Sequence, residues 1–306
     1  MLPEMLRHRC FWTCRRQVFS YEVAMPELPE VETVVRTLRP QVLGCRIERV
    51  DVLRERSLHP LSLPVERLAG TRISAVRRRG KLALLDLEPP AAAAAVPVPS
   101  LLAVHLRMTG RFMVHPEGAA PLKHTRVIFH LQRPDRCRAQ LFFDDVRAFG
   151  LVFAATPALL ERWDFWCSLG PEPLDMGPGE LGPRLRGGRA IKAALLDQTV
   201  LAGIGNIYAD ESLFRAGIDP RRPAGELSEA EADRLRRAVQ EVLRESIAQC
   251  GSSIRDYRDA NGNVGAFQNT FFVYGRGGQA CRRCGSTLEK SRIAGRATVS
   301  CPRCQH

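Results

Sequence analysis

Apolar side chains first recur at helical spacing at Leu28, Val31, Val34, Val35 and Leu38, which predicts a helix that begins at or just after Pro26 and is stopped by Pro40. From residue 45 the period shortens. Stretches 45–53, 71–77, 81–87, 101–106, 125–131, 140–143 and 151–154 are apolar runs bounded by turn residues, and each predicts a short strand. Strands in succession without helices between them imply an antiparallel β-sandwich. Residues 89–99 contain only proline, alanine and two valines and read as a hairpin-tip insertion. Glycine and proline then cluster at 170–173 and 177–179, the composition of a linker. Helical periodicity returns beyond it, at 191–197 and 205–215 on either side of the turn Ala202-Gly203-Ile204-Gly205. A longer helix at 228–249 has Ser228 and Glu231 as a capping box and Leu235, Val239, Val242, Leu243 and Ile247 as its apolar stripe. The expected fold class is α+β, with the boundaries 1–25 (extension), 26–160 (sandwich with flanking helices), 161–182 (linker), 183–270 (helical domain) and 271–306 (terminal hairpin). No segment repeats.

A chain of 306 residues with 45% apolar and 25% charged side chains is too hydrophobic to be wholly disordered. Its longest apolar candidate, 91–98, is too short to span a bilayer. The charge narrows the partner class, since 45 Lys and Arg against 33 Asp and Glu leave +12, the sign expected of a protein that meets a polyanion. An arginine-rich proteome would give the same total, so the distribution decides. Residues 270–306 hold seven basic side chains and one acidic, and 183–192 hold four basic and none acidic. Such clustering favours nucleic acid.

Of ten cysteines, Cys281, Cys284, Cys301 and Cys304 form C-x2-C-x16-C-x2-C, the spacing of a four-thiolate zinc ribbon; disulfides or a redox pair are the alternative. The turn between the knuckles reads Ile293-Ala294-Gly295-Arg296. Cys10, Cys14, Cys45, Cys137, Cys167 and Cys250 follow no ligand spacing and read as small apolar residues.

Seven segments in order carry a resemblance: Met25-Pro26-Glu27-Leu28-Pro29-Glu30-Val31-Glu32-Thr33, Arg79-Gly80-Lys81, His105-Leu106-Arg107-Met108-Thr109-Gly110, Leu169-Gly170-Pro171-Glu172-Pro173-Leu174, Gly203-Ile204-Gly205-Asn206-Ile207-Tyr208-Ala209, Phe272-Val273-Tyr274-Gly275-Arg276 and the ribbon. Together they resemble the bacterial formamidopyrimidine-DNA glycosylases, base-excision repair enzymes that excise oxidised purines (8-oxoguanine, formamidopyrimidines) and cleave the abasic site. The resemblance implies a helix-two-turn-helix in the helical domain, one structural Zn²⁺ and no catalytic metal. It also implies damaged double-stranded DNA as partner, and a cytoplasmic monomer without a membrane segment.

Carried residue by residue, the resemblance implies that Pro26, freed by removal of the methionine before it, is the nucleophile. A proline amine is secondary, with a pKa near the ~7.7–8.0 of α-amino groups, and the iminium it forms cannot lose a proton from nitrogen. Glu27 is implied as the acid-base group and Lys81 as the lysine near the scissile phosphate. Arg296, Lys192, Asn206, Tyr274 and His124 are implied to hold phosphates. Met108, Arg147 and Phe149 are implied as the trio that fills the gap left by the extruded nucleotide. The usual Pro-Arg-Arg-Phe of that trio is here Val146-Arg147-Ala148-Phe149, which lacks the second arginine.

Pro26 follows 25 residues in this sequence, so its nitrogen is an amide unless synthesis starts at Met25 or the leader is cleaved; a start at Met25 is the expectation. Two other readings compete: a DNA-binding protein that does not cut, and an endonuclease VIII-like glycosylase for oxidised pyrimidines. Lesion-reading contacts are expected between residues 255 and 267.

Overall fold

The computed structural model describes residues 25–90, 97–253 and 257–306. The leader with Cys10 and Cys14, the centre of the 89–99 insertion and the start of the expected lesion-reading segment lie outside the described residues.

Helix α1 (Leu28–Val42) buries Val31, Val34, Val35, Leu38 and Val42 along one face. It runs past Pro40, contrary to expectation. A proline here removes one backbone donor, but the turn still closes because Leu43 N–H donates to the Arg39 carbonyl at 3.0 Å and Val42 is anchored in the core.

Eight strands follow: β1 (Arg46–Val52), β2 (Arg72–Arg79), β3 (Leu82–Glu88), β4 (Leu101–His105), β5 (Gly110–Pro116), β6 (Thr125–Gln132), β7 (Arg138–Asp145) and β8 (Leu151–Ala155). All neighbours are antiparallel in the order β5-β7-β6-β1-β2-β3-β4-β8. Between β1 and β2 the ladder has a single pair, Arg46 with Arg72, so the array divides there into two four-stranded halves. Phe129, Leu141 and Phe143 of one half and Val76, Leu85, Val104 and Val152 of the other fill one core with α1. The result is the expected antiparallel sandwich. Strand β5 was not foreseen, because Phe112 is its only deeply buried large side chain and the period-2 signal is correspondingly weak.

Short helices α2 (Pro157–Leu160) and α3 (Asp164–Ser168) lead out of the sandwich. Beyond them α4 (Ile191–Leu196), α5 (Asn206–Ala216) and α6 (Glu229–Ala248) build a second core, and β9 (Glu289–Ile293) pairs with β10 (Arg296–Ser300). The Ser228 capping box is present, with Glu231 N–H donating to Ser228 Oγ and Ser228 N–H to Glu231 Oε2 at 2.9 Å. The β9–β10 turn is the expected one, with Ala294 and Gly295 both at positive φ, as a two-residue hairpin turn requires. Cys45 is buried as expected, but Cys137, Cys167 and Cys250 are exposed, since they lie on a loop, on the outer side of α3 and just past the end of α6.

Two of the contacts that join the cores lie at the start of α1 and on the linker. Leu28, the first residue of α1, is packed in the helical core, and its N–H donates to the Gly203 carbonyl at 3.0 Å. Gly203 is at φ +89°, and a Cβ there would come within 2.8 Å of the Leu28 side chain, so only glycine fits. The second contact is a latch on the linker. Glu172 accepts Gly80 N–H at 2.6 Å and pairs with Arg79 (3.0 Å) and Arg78 (2.7 Å), while Arg78 also reaches Glu32 of α1 at 3.0 Å. Arg78 is nearly buried between the two carboxylates. Its removal takes away the one cation the two carboxylates share, leaving Glu172 to Arg79 and Glu32 to Arg36, so Arg78→Ala is expected to lower unfolding free energy by ~3 kcal/mol, as read from urea denaturation.

Candidate active site

The sandwich, the helical domain and the ribbon turn enclose a cavity of ≈ 320 Å³, and each supplies part of its wall. Glu27, Lys81, His105 and Met108 come from the sandwich side, Gln198 and Asn206 from the helical side, and Tyr274 and Arg296 from the ribbon side. Six of the residues singled out in the sequence therefore converge. Pro26 is buried, and the residue bonded to its nitrogen, Met25, lines the cavity.

Glu27 precedes α1 and its carboxylate meets the start of α5, accepting Ile207 N–H at 3.0 Å and Tyr208 N–H at 3.5 Å. A Cβ on Gly205 would lie 2.3 Å from its Cδ, so the approach depends on glycine. Burial raises the Glu27 carboxyl to about 7; Lys81 opposes the rise, Glu30 adds to it, and the two amides oppose it. A carboxyl with that value gives and takes a proton near neutrality. Glu30 anchors the same segment from below. It accepts Glu27 N–H at 3.0 Å, Tyr208 O–H at 2.5 Å and Ser252 N–H at 2.8 Å.

Lys81 is buried and donates to the Ile204 carbonyl at 3.0 Å. Burial pulls its ammonium below the usual lysine range, against the pull of Glu27 and Glu30 and with the push of Arg296 and Arg107. His105 carries no role in the sequence reading, although it stands in one of the quoted motifs. Burial, then Arg107 and Lys81, hold it well below the ordinary imidazole range. Its Nδ1 accepts Arg107 N–H at 3.0 Å, so the neutral ring carries its proton on Nε2. Phe165 and Gln198 also line the cavity and gave no signal in sequence, because neither belongs to a motif or a periodic face.

Lys192 does not stand where a phosphate contact was expected. It is fully buried and pairs with Asp210 at 2.7 Å, donating also to the Ala297 carbonyl at 2.9 Å and to Thr298 Oγ1 at 2.8 Å. Three oxygens therefore lie within 3 Å of its ammonium. Asn206 donates to the same Ala297 carbonyl at 3.0 Å. Tyr274 is held by a second buried acid, Glu211, which accepts the consecutive amides of Phe272, Val273 and Tyr274 at 2.8–2.9 Å. Neither Asp210 nor Glu211 was singled out in the sequence.

The four ribbon sulfurs lie within 4.8 Å of one another. Cys284 and Cys301 are separated by 3.4 Å, and Cys281 and Cys304 by 4.0 Å. Zn–S bonds of about 2.3 Å in a tetrahedron require sulfurs about 3.8 Å apart, whereas a disulfide requires about 2.0 Å. The site fits one structural zinc and no disulfide.

Met108, Arg147 and Phe149 sit on two adjacent loops of the sandwich. Arg147 Nη1 approaches Met108 Sδ at 3.0 Å, and Phe149 is 50% exposed. Buried Asp145 joins the loops, accepting Thr109 O–H on one oxygen and Gly150 N–H (2.7 Å) on the other. Its own N–H donates to the His124 carbonyl at 2.9 Å, which sets His124 beside this loop and outside the cavity wall. Ala148, where an arginine is usual in the resemblance, is buried at φ +54°.

Comparison with known proteins places this arrangement. The formamidopyrimidine-DNA glycosylase N-terminal domain matches residues 25–152, the H2TH domain of the same enzymes matches 169–258, and the zinc finger found in FPG and IleRS matches 278–306. The formamidopyrimidine-DNA glycosylase of Desulfitobacterium hafniense is 45% identical over 92% of this chain and 100% of its own. Among solved structures, the MutM (Fpg) protein of Thermus thermophilus superposes with a TM-score of 0.77 at 41% identity, covering 92% of this chain and 98% of that one. The wild-type Lactococcus lactis Fpg, solved with DNA containing N7-benzyl-Fapy-dG, gives 0.79 at 34% identity, covering 92% and 99%.

Because the Glu27 carboxyl is raised above its unfolded value, folding favours its protonated form, and that stabilisation is lost as pH rises from about 4.5 towards 7. Glu27→Gln keeps an acceptor for Ile207 N–H without the charge. It is expected to be more stable than the parent at pH 8 by on the order of 2–3 kcal/mol, with the gain vanishing near pH 4; denaturant titrations at the two pH values check it.

Proposed function

The chain belongs to the formamidopyrimidine-DNA glycosylase family of base-excision repair enzymes, and from that membership we propose that it removes oxidised purines from duplex DNA and cleaves the abasic site through an iminium at Pro26. The observation that carries the reading is the pairing of Pro26 with a buried carboxyl at about 7 beside it. Met25 lines the cavity and is bonded to the Pro26 nitrogen. Removal of Met25 and all that precedes it turns that amide into a secondary amine at the cavity wall.

In this reading the Pro26 amine attacks C1′ of the extruded nucleotide and the base leaves, while Glu27 delivers a proton to the ring oxygen as the sugar opens. The iminium then draws electrons from C2′, and the 3′ and 5′ phosphates depart in successive eliminations. Lys81, Asn206, Tyr274 and Arg296 hold the phosphates around the nucleotide from the cavity wall, with His124 contacting phosphate from the neighbouring loop. Lys192 is assigned a supporting place behind them. Met108 and Phe149 wedge the stack open and Arg147 takes the widowed base. Damaged duplex DNA is the partner, by analogy with the lesion-containing DNA in the Lactococcus lactis complex. Among the described residues no helix is long and apolar enough to cross a membrane. We read the protein as a cytoplasmic monomer with one structural zinc and no catalytic metal. We divide it at 26–160, 161–182, 183–270 and 271–306.

Mass spectrometry of the purified active protein is expected to find Pro26 at the amino terminus, and borohydride is expected to trap it covalently on an 8-oxoguanine duplex. Full lyase activity from a chain that retains Met25 would exclude the iminium, and binding without an adduct would favour a protein that does not cut. A second prediction concerns the wedge. Phe149→Ala is expected to raise the barrier to excision from an 8-oxoguanine duplex by ~1–3 kcal/mol, with a smaller effect on a duplex that is already abasic, as single-turnover rates on the two substrates will read.

A further inference from the structure

Arg296 is the first residue of β10, and the three residues after it are each tied down by side chains of the helical domain. The Ala297 carbonyl accepts from Lys192 and Asn206, Thr298 Oγ1 accepts from Lys192, and Val299 N–H donates to Asp210 Oδ2 at 3.2 Å. Asp210 Oδ1 completes the set by pairing with Lys192, and both side chains are sealed from solvent. One buried acid and one buried base, on α5 and α4, thus grip a single strand of the ribbon from behind.

The zinc site is too distant to fix that end of the ribbon. It pins the hairpin through Cys301, five residues beyond Arg296, which at ~3.3 Å per residue is about 17 Å away. An isolated two-stranded hairpin is marginal by itself, and Ala294 and Gly295 at its turn are exposed. A buried ion pair is a poor way to gain stability, because desolvating two charges offsets most of their attraction and an apolar pair of similar size does as well. What the pair supplies that an apolar pair does not is direction, since its three hydrogen bonds to Ala297, Thr298 and Val299 set the register of β10 against α5.

We propose that Asp210 is a positioning residue for the reaction: with Lys192 it clamps β10 so that the Arg296 guanidinium stands over the catalytic cavity. The inference rests on the reading of Arg296 as a phosphate contact. It assigns to Asp210 no contact with DNA.

The test replaces the clamp by an apolar pair, Lys192→Met with Asp210→Leu, beside Arg296→Ala and the triple variant. Each is measured for zinc content, thermal midpoint, and the salt dependence of binding to a duplex carrying a tetrahydrofuran abasic analogue. Arg296→Ala alone is expected to lower the slope of log K against log salt by about one unit; an unchanged slope would mean that the phosphate reading has failed, and the clamp's purpose with it. The apolar pair is expected to keep one zinc and a folded midpoint, to lose the same unit of slope, and to lose nothing more when Arg296→Ala is added. A parental slope, or additive losses in the triple variant, would overturn the proposal. Should the apolar pair fail to fold, Asp210→Asn carries the same comparison with Arg296→Ala. Loss of zinc or of folding in both would make the pair a folding element and likewise overturn it.

Discussion

A carboxylate buried against the first amides of a helix from another layer of the structure is the constraint that organises this protein. Glu27 meets α5 at Ile207 and Tyr208, and its nearest neighbour in the chain, Leu28, is embedded in the helical core. The sandwich and the helical domain are therefore joined at the site of chemistry itself. Two glycines make the approach possible, Gly205 against the carboxylate and Gly203 against Leu28. The amides favour the charged carboxylate, but burial outweighs them and Glu30 works in the same direction, so the proton is held to about 7. The same desolvation that makes Glu27 a usable acid at neutral pH makes its charged form a cost to the fold.

Helix α5 distributes that constraint to the rest of the site. Its first turn presents the amides to Glu27 and the side chain of Asn206 to the ribbon strand. Tyr208 reaches down to Glu30 and Ser246 of α6, fixing the helix against the base of α1. Asp210 and Glu211, adjacent in sequence, point to different parts of the ribbon segment, one to β10 and the other to the three amides at 272–274. Eleven residues thus hold an acid, a tyrosine-bearing loop and an arginine-bearing hairpin in one frame. A displacement of α5 would move all of them together.

The sandwich, the helical segments, the ribbon and its turn were legible from periodicity and from glycine, proline and cysteine spacing. The strand ladder supported the class even where the pattern missed β5, because one buried phenylalanine does not make a period. Pro40 misled for a local reason, since tertiary burial of Val42 carries the helix two residues past a residue that normally ends it. The convergence of Glu27, Lys81, Asn206, Tyr274 and Arg296 was legible only through the resemblance, because they lie on separate elements and no spacing relates them. Asp210 and Glu211 were illegible for the opposite reason. An acidic pair on a helix reads as a solvated face, and only the packing of the ribbon onto that face reveals it as interior.

Two buried lysines show how the same side chain takes opposite parts in one protein. Lys192 and Lys81 are both buried, and each sits near a buried carboxylate. Lys192 has three acceptors arranged around its ammonium, which leaves no direction for a ligand and holds the charge in place. Among the described residues Lys81 has one acceptor, the Ile204 carbonyl, and its side chain forms part of the cavity wall. With its pKa pulled down by burial and only partly restored by Glu27 and Glu30, its ammonium lacks the full solvation of a surface lysine. An anion entering the cavity supplies what is missing, and it also stabilises Arg296 and Arg107, whose charges push against Lys81. The cavity is thus under-neutralised by construction. Positive charge gathered at the wall of a partly buried cavity favours a phosphodiester over any neutral ligand, which connects the excess of basic residues in the sequence to the chemistry of the site.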